Sequence, residues 1–180
     1  MAELFKGFNK FLDENSTDEY QNACIATIAE IIQELQGDFR PFCPAFAPFT
    51  IQLLTNPETK KTTKHNAAYC SALLIEHGGP TIEPFLERLF VALTNTIANF
   101  NRKKFASAID NAAGAIARMV NFFPTLVPVP NAVAAIMQAM PLKDDGEPAT
   151  AIYDCFFNLL RANNPTVSFS YFSFPIVKLN

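Results

Sequence analysis

The chain is poor in the features that usually mark chemistry. Only 17% of its 180 residues are charged, and the formal net charge is −3. Nucleic-acid binding calls for a concentrated basic face, so this balance argues against nucleic acid and mildly favours basic partners. No apolar run approaches the roughly 18 residues needed to span a bilayer. The opening MAELFKGFNKFL also does not read as a secretory signal, so no membrane role is expected. The four cysteines, Cys24, Cys43, Cys70 and Cys155, form no C-x-x-C pair and have no histidine at ligand spacing. Three of them lie among alanines and leucines, as buried thiols in a reducing compartment do. His65 and His77 are the only histidines. No serine sits in a nucleophile elbow, no glycine-rich phosphate loop exists, and carboxylates such as Asp110 and Asp154 stand singly. No catalytic function, cofactor or metal is therefore expected.

What the chain does have is a recurring helical motif. Its clearest copy is DNAAGAIARMV from Asp110, and HNAAYCSALLI from His65 is a second. QNACIATIAEI from Gln21 is weaker, and YDCFFNLLRA from Tyr153 is a fourth copy with Asp154 at the Asn position. The motif residues Asn22, Asn66, Asn111 and Asp154 are thus 44, 45 and 43 residues apart. A near-constant period in the forties on helical segments predicts an all-α solenoid of the HEAT or armadillo kind. With half the residues apolar (49%), there is enough material to pack such helices and little case for disorder.

Periodicity and punctuation divide the chain further. Leu4, Phe5, Phe8, Phe11 and Leu12 predict an amphipathic helix over Ala2–Asp13. Asn15-Ser16-Thr17 breaks it and caps a helix over Asp18–Gln36, which Gly37 ends in the left-handed region. A helix from about Pro41 to Thr55 carries Pro44 in its first turn, with Pro48 deeper as a kink or delay. Thr59–His77 follows, closed by Gly78-Gly79. Next comes a helix opened by Pro80, with Phe85, Leu86, Leu89, Phe90 and Leu93 on one face. The third motif helix is placed at Asn101–Phe123. A shorter helix after Pro128 and Pro130 ends near Met140-Pro141, and the fourth motif helix runs from Glu147 to about Asn163. The repeats are then 1–37, 38–78, 79–123 and 124–163, stacked into a right-handed superhelix, with 164–180 a tail that has no helical period. The small residues Ala67, Ala68, Ala112, Ala113 and Gly114 allow close helix approach.

If the motif helices line a concave face, the register stacks Gln21, His65, Asp110 and Tyr153 in one column. Ile25, Tyr69, Gly114 and Phe157 form a second. Asn22, Asn66, Asn111 and Asp154 lie at their edge. On this register the third motif helix exposes Lys103, Ser107, Asp110, Ala117 and Asn121. The Asn side chains either grip an extended peptide or bond neighbouring helices, and the structural role is favoured. Asp110, Tyr69 and Phe157 are evenly poised between recognition and packing. Lys60-Lys61 and Arg102-Lys103-Lys104 open motif helices against the helix dipole. They read as solvated turns or, more sharply, as contacts for an acidic partner.

HNAAYCSALLIEHGG, PFLERLFVALTN, DNAAGAIARMV with its following proline, and AAIMQAMPLKDD occur in this order. Together they resemble consecutive HEAT repeats of the importin-beta (karyopherin-beta) superfamily, in the branch of importin four and importin five. The resemblance covers residues 17 to about 165 and corresponds to a stretch towards the C-terminus of much longer chains. It implies a nuclear transport receptor segment that binds basic protein cargo, such as histones or ribosomal proteins, and shuttles between cytoplasm and nucleus. Contact with nucleoporins is implied as well. Ran binding is not, because the N-terminal repeats that hold that GTPase have no counterpart here. A HEAT scaffold, or a truncated paralogue that holds a stable assembly without transport, is the alternative.

Overall fold

The computed structural model describes residues 16–143 and 146–167, and these are helical throughout, without a strand. The helices are α1 (Asp18–Leu35), α2 (Cys43–Thr55), α3 (Lys61–His77), α4 (Leu86–Asn99), α5 (Ala106–Phe122), α6 (Val129–Ala139) and α7 (Glu147–Arg161). Short 3-10 segments, Gln36–Phe42 and Gly79–Phe85, lead into α2 and α4. The motif helices α1, α3, α5 and α7 pack side by side in one row. Helices α2, α4 and α6 form a second row against them. This is the HEAT-type solenoid that the period of the sequence implies. The helix expected over Ala2–Asp13, and the tail beyond Val167, lie outside the described residues.

One apolar core runs between the two rows. Leu86, Leu89 and Leu93 of α4 are buried as their spacing requires, and Phe39, Phe46, Ile32, Leu74 and Ile116 fill the inter-row space. Each large side chain so buried contributes about 2–3 kcal/mol relative to exposure. Small residues bring the motif helices together: Ala67, Ala68, Ala112 and Ala113 are fully buried. A Cβ added to Gly114 would stand 2.8 Å from the Pro148 Cβ, so α5 and α7 touch almost backbone to backbone there.

Cations reach across to the C-terminal ends of helices, where carbonyls lack intrahelical partners. The Lys64 ammonium donates to the carbonyls of Leu54 (2.7 Å) and Asn56 (3.0 Å) after α2, and lies 4.1 Å from the centre of the Phe100 ring. Arg40 Nε donates to the His77 carbonyl at the end of α3. Arg102 donates to the Gln138, Ala139 and Pro141 carbonyls at the end of α6. Lys64 is wholly buried, and that burial pushes its pKa down to about 8.

Several boundaries differ from the sequence expectation. The left-handed residue after α1 is Gln36 (φ 47°), not Gly37, because the chain enters a 3-10 segment at once. Pro41 belongs to that segment, α2 begins at Cys43, and the helix runs on through Pro48. After α3 it is Gly79, at φ 54°, that takes the left-handed turn. Helix α5 starts at Ala106 rather than Asn101, since the Asn101 side chain accepts the Lys103 and Lys104 amides and holds a turn. Helix α7 stops at Arg161: Asn163 turns left-handed (φ 50°), and the Asn164 and Asn163 amides bond the Leu159 and Leu160 carbonyls. All four cysteines are free and buried, and burial raises their pKa values, to about 11 for Cys24 and about 12 for Cys70 and Cys155.

Candidate binding groove

The recurring polar residues of the motif mostly face neighbouring helices. Asn66 Nδ2 donates to Asn22 Oδ1 at 2.9 Å, which ties α3 to α1. Asn111 Nδ2 lies 3.2 Å from His65 Nδ1, tying α5 to α3. Gln21 and Asn111 are buried. Tyr69 packs half-buried against the core, with its hydroxyl 3.3 Å from Gln33 Oε1.

Neither expected column is therefore a continuous surface. Asp110 and Ala117, expected to be exposed, are 1% and 0% accessible, and Asp110 accepts the Lys143 amide at 2.8 Å. Ile25 is buried, and Gly114 is covered by Pro148. The physical reason is that α5 is flanked on both sides, by α3 and α7, so every residue from Ala108 to Ala117 is enclosed. Tyr153, Asp154 and Phe157 on α7, the last helix among the described residues, are exposed. Of these only Asp154 lines the cavity described next. Tyr153 and Phe157 lie on an adjoining flank, where Arg161 sits 6.0 Å from the centre of the Phe157 ring.

The open concavity lies further along the same helices. Glu76 of α3, Arg118, Asn121 and Phe122 of α5, and Glu147, Thr150, Asp154 and Asn158 of α7 border about 500 Å³. Asn121 donates to the Ala151 carbonyl at 3.3 Å and accepts from Asn158 at 3.1 Å, which fixes the floor between α5 and α7. The Arg118 guanidinium is largely enclosed and bridges Glu76 (2.7 Å) and Glu147 (3.2 Å). Asp154 has no ion pair among the described residues. Three carboxylates thus surround one guanidinium, and Phe122 stands half exposed between them. The groove is net negative and offers an aromatic surface. Such a site suits a Lys or Arg side chain, whose head meets carboxylate while its stem covers the ring. Past Phe122 it continues into a second hollow of about 370 Å³ walled by Pro80, Glu83, Phe123 and Leu126.

Motif alignment found Asp154, and the helical wheel placed Asn121 on an outer face. It missed Arg118, Phe122 and Glu147. Phe122 and Glu147 do not recur at the motif period and Arg118 recurs only as Arg161, so a comparison of adjacent helices was needed to raise them.

No family model matches the chain. Comparison with known proteins finds human Importin-4, 30% identical over 166 residues, a match covering 90% of this chain and 15% of that protein. Mouse Importin-4 is 29% identical over 153 residues, covering 84% of this chain and 14% of the relative. A probable importin subunit beta-4 of Schizosaccharomyces pombe is 23% identical over 141 residues, covering 78% and 13%. The chain spans about one seventh of the length of these relatives.

Proposed function

Because the chain is related to the importin-beta family along most of its own length, we propose that it is a cargo-holding segment of a nuclear transport receptor. The cargo is a basic protein segment, of the kind histones and ribosomal proteins carry, seated between α3, α5 and α7. The observation that supports this is the acidic groove itself: Glu76, Glu147 and Asp154 around Arg118, with Phe122 exposed among them. Catalysis plays no part in this role, and the protein shuttles between cytoplasm and nucleus. Contacts with nucleoporins belong to the same role, while Ran is held elsewhere in longer receptors.

The test is a titration of a labelled Lys/Arg-rich peptide against wild type and the Glu147→Lys/Asp154→Lys variant at two salt concentrations. Single exposed ion pairs contribute at most about 1 kcal/mol, so reversing two charges should weaken binding roughly tenfold or more with helicity intact. Higher salt should weaken the wild type. Equal affinities of the two proteins would exclude this groove. A HEAT scaffold in a permanent assembly is the second reading, favoured by Tyr153 and Phe157, which are 60% and 61% exposed side by side on α7. A constant stoichiometric partner lost on Tyr153→Ser/Phe157→Ser would support it.

A further inference from the structure

The groove leaves unused a separate cavity of about 330 Å³ at the other end of the motif helices, where α3 and α5 begin. Lys61, Lys103 and Lys104 line it together with His65, Thr62 and Ser107, and no carboxylate does. Among the described residues none of the three lysines forms an ion pair. Three like charges around one opening repel one another, and an arriving anion relieves that repulsion.

The junction before it shows what such a place accepts. There Asp18 of α1 reaches the start of α3, its Oδ1 accepting the Lys60 amide at 3.0 Å and its Oδ2 the Thr63 hydroxyl at 2.9 Å. Glu19 pairs with Lys60 beside it. At the 44-residue spacing of the motif, Asp18 and Glu19 fall on Thr62 and Thr63. The first turn of α3 therefore hands no carboxylate to the start of α5, and Phe105, which precedes α5, provides no side-chain cap. The equivalent acid is absent, while the lysines around its place are present.

We propose that this notch binds an acidic stretch of a partner polypeptide, whose Asp or Glu carboxylates take the position that Asp18 fills one motif interval earlier. The notch shares no lining residue with the acidic groove. Ser107 and Arg118 are separated along α5 by about 16 Å at the α-helical rise. The two sites thus carry opposite charge preferences, and neither depends on the other.

The test is fluorescence anisotropy of a labelled Asp/Glu-rich peptide with the full chain. It compares wild type, Lys61→Glu/Lys103→Glu, and a charge-matched control, Arg88→Glu/Arg161→Glu, at exposed positions of α4 and α7 away from the notch. The double variant should bind at least about tenfold more weakly, the control within about twofold, and salt should weaken the wild type. An equal loss in the control overturns the site, because net charge alone would then explain binding. Amide chemical shifts of the wild type should move first at Lys61–Thr63 and Lys103–Ser107. Shifts confined to other regions overturn the site even if the variants fail to fold. Two further probes test the ligand class. Binding of inorganic phosphate without binding of the peptide, or tighter binding of a single-stranded oligonucleotide of equal charge, overturns the polypeptide assignment.

Discussion

Asp110 and Asp154 sit in adjacent places of the same recurring motif, on α5 and α7, and their surroundings are opposite. Asp110 lies between two neighbouring helices and spends its carboxylate on the Lys143 amide. Asp154 lies at the end of the described row, exposed, and borders the open groove. A recurring residue in a solenoid is thus first a packing residue, because what repeats is the contact between successive helices. The proposed recognition of a basic segment falls instead to residues left open in the stack: Asp154 of the motif, with Phe122 and Glu147, which do not recur.

The sharpest way to break this comparison is charge reversal at both aspartates. Asp110→Lys buries an ammonium in place of a carboxylate that accepts the Lys143 amide and should cost about 3–5 kcal/mol. Asp154→Lys should stay within about 0.5 kcal/mol. Urea midpoints of the two variants measure the difference, and equal midpoints would mean that α5 is not enclosed.

The next effect is on pH dependence, and Cys155 shows that the inner flank of α7 is as dry as the core. Burial raises its thiol from 9.0 to about 12, as it does for Cys70. A folded pKa above the unfolded value gives stability that is full below pH 9 and lost as pH climbs towards the folded value. At a pH of about 10.5 each such thiol should have cost roughly 2 kcal/mol. Cys155→Ala should flatten the alkaline limb of the stability curve. Lys64 has the opposite sign. Its folded pKa of about 8 lies below the unfolded 10.5, so its ammonium penalises folding below pH 8 and releases that penalty through 8 to 10.5. Lys64→Met should therefore gain on the wild type at pH 7 more than at pH 9, unless the lost carbonyl contacts outweigh it at both. Urea denaturation at the two pH values gives the slope.

Packing effects follow. Ala112→Leu and Gly114→Ala both push into enclosed space on α5 and should cost about 1–3 kcal/mol. The matching change on the exposed side of α7, Thr150→Leu, should be within about 0.5 kcal/mol. An unchanged melting temperature for Ala112→Leu would mean that the α5 register is wrong. The smallest effect is expected for Tyr153→Ser, since that ring is already 60% exposed.

These contrasts mark how much was legible in the sequence. The motif period, the proline and glycine stops and the apolar face of α4 give every described helix, with two starts late: α4 at Leu86 rather than Pro80 and α5 at Ala106 rather than Asn101. The errors at Gly37, Pro41 and Asn101 share a cause: 3-10 segments and an Asn-held turn replace the helical start or stop that local residue preferences suggest. The surface was harder to read. A helical wheel identifies the side facing the second row, but cannot say how much of the rest its neighbours in the same row cover. For α5 they cover Asp110, Gly114 and Ala117. For α7, at the end of the described row, Tyr153, Asp154 and Phe157 stay open. The wheel could not separate the two cases because burial here depends on place in the stack, which a single helix does not encode.

The most direct test measures two properties of two conservative variants, Asp110→Asn and Asp154→Asn. Each is assayed for urea stability and for affinity towards the Lys/Arg-rich peptide at low salt. Asp110→Asn should lose about 1.5–3 kcal/mol of stability, because its charge-assisted bond to the Lys143 amide is weakened, and should bind like wild type wherever it is folded. Asp154→Asn should keep wild-type stability and lose affinity, by about two- to fivefold for one exposed charge. Loss of affinity in folded Asp110→Asn, with Asp154→Asn unaffected, would contradict the account. It would place recognition on the enclosed part of the motif and not on the open groove.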